Sequence, residues 1–128
     1  MDCWVQHFDY SGEQVGDVDL DAAKQALLRF DWDGEIGRFV SELRKGQDVC
    51  PPGLTFVLDE RHKLRIYSDE PGSFHVYCVV PAPVVQFGLT IPRSKSLDKR
   101  GVSKQELPGI LEMYFEGRYE ELISRLEA

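Results

Sequence analysis

Cysteine is scarce in this chain: Cys3, Cys50 and Cys78 are the three thiols among 128 residues, odd in number and far apart. A disulfide framework needs an even and closely set group, so these read as buried or free thiols of a reducing compartment. Long apolar runs are also missing, and none approaches the roughly 18 residues of a membrane span. The opening MDCWVQHFDY has neither a basic leader nor an apolar signal core, which leads to the expectation of a cytoplasmic protein with no membrane partner. Bases are outnumbered, 15 Lys and Arg against 22 Asp and Glu, and the formal net charge is −7. A polyphosphate would be repelled by that field, so nucleic acid is not expected and a cationic partner is favoured.

The usual marks of catalysis are lacking as well. The chain has no G-x-S-x-G, no P-loop, no G-x-G-x-x-G, no C-x-x-C and no H-E-x-x-H. Its metal-type donors are Cys3, His7, Cys50, His75 and Cys78, and His75 and Cys78 stand three apart in a strand, hence on opposite faces. The reading is therefore no catalytic residue, no metal and no cofactor. His62, set in a turn, reads as solvated, and Cys50 before Pro51-Pro52 as the most exposed thiol.

What is present is the composition of a folded soluble chain, 42% hydrophobic and 29% charged. Its length suits one domain over residues 1–128 with a core that needs no staple. Trp4–Tyr10 has strand character, and SGEQVGD after it reads as a turn or loop. Leu20, Ala23, Leu27 and Phe30 recur at helical spacing behind Asp19 as N-cap. Ile36, Phe39, Val40 and Leu43 repeat the pattern, with Arg44-Lys45-Gly46 as its stop.

Pro51-Pro52-Gly53 then ends any helix and launches a strand through Leu54, Phe56 and Leu58. A hairpin through DERH leads to Leu64 and Ile66, then to Phe74, Val76, Cys78 and Val80, then to Val85, Phe87, Leu89 and Ile91. Residues 92–104, with Arg93, Lys95, Lys99, Arg100 and Lys104 against Asp98, read as a mobile polar loop. Two helices close the chain. The order β-α-α-β-β-β-β-α-α predicts an α+β fold, an antiparallel sheet of about four to five strands with helices packed on one face. Leu54, Phe56, Ile66, Phe74, Val76, Phe87 and Leu89 are expected to meet Ile36, Phe39, Val40 and Leu43 across one core.

The stretch DWDGEI, residues 31–36, gathers Asp31, Asp33 and Glu35 around Trp32 at the corner between the first two helices. Helix capping accounts for most of it: Asp31 or Asp33 can cap the free N–H groups, and the dipole favours Glu35 in the first turn. As solvated helix-start acids they lack the apolar pocket that would raise a carboxyl pKa for acid/base work. Trp32 reads as packing at the corner, with an exposed interface anchor as its alternative. A surplus of charge is left over. From Asp9 to Glu35 eight acids stand against Lys24 and Arg29, a field suited to steering a basic partner, with Asp17, Asp19, Asp31, Trp32, Asp33 and Glu35 as its candidate binding residues.

The wording FDWDGEIGRF followed by CPPGLTFV, within residues 20–58, is similar to uncharacterised bacterial proteins of this size. The acidic single α+β unit without a catalytic motif resembles the small bacterial immunity-type proteins. That resemblance implies a non-enzymatic inhibitor whose partner is a basic toxin domain, and it assigns no residue a role, since such families share no common fold. The competing expectations are a general interaction or assembly module, and a small-ligand binder or enzyme whose site assembles only in three dimensions.

Overall fold

Helix α1 (Leu20–Arg29) starts where extended Asp19 turns its carboxylate onto the Ala22 N–H at 2.8 Å, and it buries Ala23 and Leu27. Helix α2 (Trp32–Arg44) follows at once. Asp31 accepts from the Gly34 N–H at 3.2 Å, Trp32, Glu35, Ile36 and Phe39 turn inward, and Gly46 at φ +79° ends the segment. Both caps and the helix stop are those expected from the sequence. The structure, a computed structural model, describes residues 1–128.

The fold is α+β, with an antiparallel sheet of six strands, a separate two-stranded sheet and four helices. The main sheet comprises β1 (Asp2–Gln6), β2 (Gly12–Asp17), β3 (Gly53–Asp59), β4 (His62–Glu70), β5 (Ser73–Pro81) and β8 (Ser94–Val102), in the order β2-β1-β3-β4-β5-β8. β6 (Val84–Gln86) and β7 (Leu89–Ile91) form the small sheet, and α3 (Leu107–Phe115) and α4 (Tyr119–Glu127) end the chain. Cys3, Leu54, Phe56, Leu64, Ile66, Val76, Cys78 and Val80 line one face of the main sheet and are fully buried. They join Trp32, Ile36, Leu107, Ile110, Leu111, Tyr114 and Leu122 from the helices in one continuous core. The Tyr114 hydroxyl crosses that core to donate to the Phe56 carbonyl at 3.1 Å.

Four expectations need correction. SGEQVGD is not a loop. Its residues Gly12–Asp17 form β2, an edge strand paired only with β1, and an edge needs no apolar alternation to hold its place. The stretch 92–104 is largely strand β8, paired with β5 through Leu97 opposite Cys78 and Val102 opposite Phe74. Its cations disguised it: Lys95 pairs with Glu127 and Lys99 donates to the Arg125 carbonyl, so both reach across to the end of α4. Val85, Phe87 and Leu89 do not reach the core. Phe87 and Gly88, both at positive φ, turn a hairpin that leaves all three exposed. Leu43 and Leu58 also face solvent, Leu58 because the β3–β4 register shifts between Val57 and Asp59.

Candidate functional site

The second face of the interhelical corner meets the start of the sheet. β1 ends at Gln6, and the chain crosses Phe8, Asp9 and Tyr10 before returning as β2, with Tyr10 at φ +69°. This turn carries His7 back over α2. The His7 Nδ1 donates to Glu35 Oε1 at 2.6 Å, and the Phe8 N–H donates to Glu35 Oε2 at 3.1 Å. On the other side of the ring, Nε2 lies 3.5 Å from Glu13 Oε1 on β2. Glu35 is therefore not a solvated helix-start acid. It is 8% exposed and ties α2 to the β1–β2 turn.

The hydrogen bond His7 donates to Glu35 holds the His7 pKa above the ordinary imidazole value, partial burial opposes it, and the charges of Glu35 and Glu13 add to the rise. His7 also stacks on Phe30, whose ring meets Trp32 edge-on at 4.4 Å, and Trp32 meets Phe74 at 5.0 Å. An aromatic chain thus runs from the surface pair into the core. Trp32 is 3% exposed and donates its indole N–H to the Leu27 carbonyl, which makes it the packing residue of the corner and removes it as a contact residue.

Between β2 and α1 the same elements enclose a groove of about 610 Å³. Val5, Val15, Val18, Ala22, Ala26 and Phe30 form its apolar wall, and His7, Glu13, Gln25, Arg29, Asp31 and Glu35 its polar margin. One of its walls is β2, the edge strand of the sheet. Of the residues expected at a binding face, Asp17 and Asp19 lie at the end of β2 and the start of α1, Asp31 is on the margin, and Asp33 is exposed on α2. Asp17 also pairs with the Met1 amino group, which lowers its pKa. The sequence marks His7 only as a metal-type donor, Glu13 only in the charge count and Phe30 only as a helix position, and it does not single out Val15, because pairing His7 with a residue 28 positions away requires knowing how the β1–β2 turn folds back.

The remaining candidates are dispersed. Cys3 and Cys78 are buried on the inner face of the sheet, and burial pushes their thiols up to about 11 and about 12. Cys50 is half-buried, with its thiol donating to the His7 carbonyl at 3.2 Å. His75 turns its Nε2 to Asp69 at 3.1 Å. His62 is not simply solvated: its Nδ1 lies 2.7 Å from Asp59 and its ring packs against Tyr119. No three His, Cys, Asp or Glu side chains converge with metal-ligand geometry, and no helix is long and apolar enough to cross a membrane. No family model, no curated protein and no solved structure matches the chain.

Proposed function

We propose that the chain is a non-enzymatic protein-binding module that takes up an extended, basic segment of a partner in the groove between β2 and α1. The observation that carries this reading is an apolar groove, with Glu13, Asp31 and Glu35 outnumbering Arg29 and His7 on its margin, walled by the edge strand β2. An edge strand offers unused backbone N–H and C=O groups, the groove accepts alternate apolar side chains, and the acidic margin selects cations. The acids of the surrounding β2 and α1, Asp17, Asp19 and Asp21, are exposed and extend the same field.

The narrower form of this proposal is an immunity-type inhibitor that occupies a basic toxin domain. It would act in a reducing, cytoplasmic compartment, in keeping with three unpaired thiols. A binder suits the groove better than an enzyme does, because both His7 nitrogens already face carboxylates and no free base nitrogen is left beside a nucleophile. The second reading, an assembly module, draws on the protruding β6–β7 hairpin with exposed Val85, Phe87 and Leu89.

The test compares the wild-type chain with Glu13→Gln, Asp17→Asn, Asp19→Asn and Asp31→Asn combined, both immobilised in lysate of the source cell. Asn caps nearly as well as Asp, so the helix starts survive. The expected result is a basic protein retained by the wild type, released by salt, and bound at least about tenfold more slowly by the variant at low ionic strength. Equal retention by both proteins would remove the acidic groove as the recognition surface.

A further inference from the structure

The other face of the main sheet carries no helix, and its chemistry is opposite to that of the groove. Antiparallel register sets Trp4 of β1, Thr55 of β3, Arg65 of β4 and Tyr77 of β5 in one row across four neighbouring strands. Lys63 stands two residues from Arg65 on the same face. Together these residues line a shallow pocket of about 570 Å³. Trp4 is 47% exposed and Tyr77 37%, each a large aromatic left half open to water.

At about 4.8 Å per strand the two rings rise some three strand spacings apart, about 14 Å, with the short Thr55 and the Arg65 stem as floor between them. That gap admits a planar ring lying against either wall. The cations are available. Neither Lys63 nor Arg65 enters any ion pair within 4.0 Å, whereas Lys24, Lys45, Lys95 and Arg118 all do. Arg65 lies with its guanidinium carbon 4.7 Å from the centre of the Tyr67 ring, a cation–π contact that leaves its positive charge unneutralised. The acids of this face sit at its margins: Asp2 is in register with Val57, and Asp98 with Tyr77.

We propose that this pocket binds a nucleotide unit, the base stacking on Trp4 or Tyr77 and the phosphate held by Arg65 and Lys63. A carboxylate peptide would use the cations and leave both rings idle, whereas a base with a phosphate uses both cations and one of the two rings. The sources of such a unit are a free nucleotide and a single strand. The net charge of −7 opposes a long polyphosphate, so the free nucleotide is the occupant favoured. This site is separate from the groove between β2 and α1 and does not depend on the function proposed for it.

The experiment titrates the chain with adenosine monophosphate and, in parallel, with a short oligouridylate at low ionic strength, reading tryptophan fluorescence. Trp32 is enclosed, so quenching reports Trp4, and Trp4→Phe should abolish the signal. Saturable quenching is expected, weakened about tenfold or more in Lys63→Gln combined with Arg65→Gln. Both of those side chains are partly exposed, and thermal melts should show the double variant folded. Comparable affinity for the mononucleotide and the oligomer identifies a free nucleotide. Much tighter, steeply salt-dependent binding of the oligomer identifies a single strand. Absence of saturable quenching by either, unchanged affinity in the double variant, or equally effective displacement by inorganic phosphate or oligo-aspartate would overturn the proposal.

Discussion

Glu35 shows how much a single residue's role depends on a distant one. Its place in the first turns of a helix suits a solvent-facing dipole partner, yet His7 and the Phe8 N–H draw it beneath the β1–β2 turn. The consequence is a titratable link between sheet and helix. Because the folded-state pKa of His7 is raised, its contribution to stability is fully present below the unfolded value of about 6.5 and is lost as pH climbs through the higher folded value. His7→Phe keeps the stacking on Phe30 and removes the charge. The stability gap between wild type and this variant, from urea midpoints, should therefore be larger near about pH 6 than near about pH 9. A gap that stays constant or widens toward alkaline pH would show that the His7–Glu35 pair does not link the two elements.

Among the elements, the β6–β7 hairpin is the one whose sequence and placement disagree most. Val85, Phe87, Leu89 and Ile91 alternate as an inward strand face would, but the chain between Pro83 and Pro92 forms a short ribbon of three paired residues on each side. Neither ribbon strand joins the main sheet, so the alternation has no core to face. Its two-residue turn places Phe87 at φ +51° ahead of Gly88 at φ +74°. A bulky side chain there works against its backbone, whereas Asn enters the left-handed region readily and favours this class of hairpin turn. Phe87→Asn should accordingly raise stability by about 0.5 to 1 kcal/mol in chemical denaturation, since the Phe87 ring is wholly exposed and loses no packing. A loss of stability would mean that the ring packs somewhere the hairpin does not show.

At the scale of the whole molecule, the sheet separates two chemistries: helices and core on one face, with an acid-rimmed groove at the β2 edge, and an open aromatic and cationic pocket on the other. The core that makes this separation possible runs from Cys3 on β1 to Leu126 on α4. Its continuity can be followed with the three thiols. Burial holds Cys3 and Cys78 protonated and enclosed, so a thiol reagent should titrate Cys50 alone in the native protein and all three after unfolding. The two slow thiols should become reactive together, at the denaturant concentration of the cooperative transition. Exposure of Cys78 before Cys3 would divide the core into two units.

The α+β class, both helix caps, the stop at Gly46 and most of the inner sheet face were legible in the residues themselves, because each is set by spacing and chemistry within a few positions. Asp19 and Asp31 cap whatever helix follows them, and Leu54, Phe56, Leu64 and Ile66 alternate whatever they pack against. Tertiary structure alone decided the rest. β2 and β8 are strands because a neighbouring strand offers them a ladder, and their polar and basic composition hid this. The groove and the open pocket likewise combine residues from β1, β2, α1 and α2, and from β1, β3, β4 and β5. A constellation assembled by long-range pairing leaves no local period in the chain, since its members share only the sheet register that brings them together.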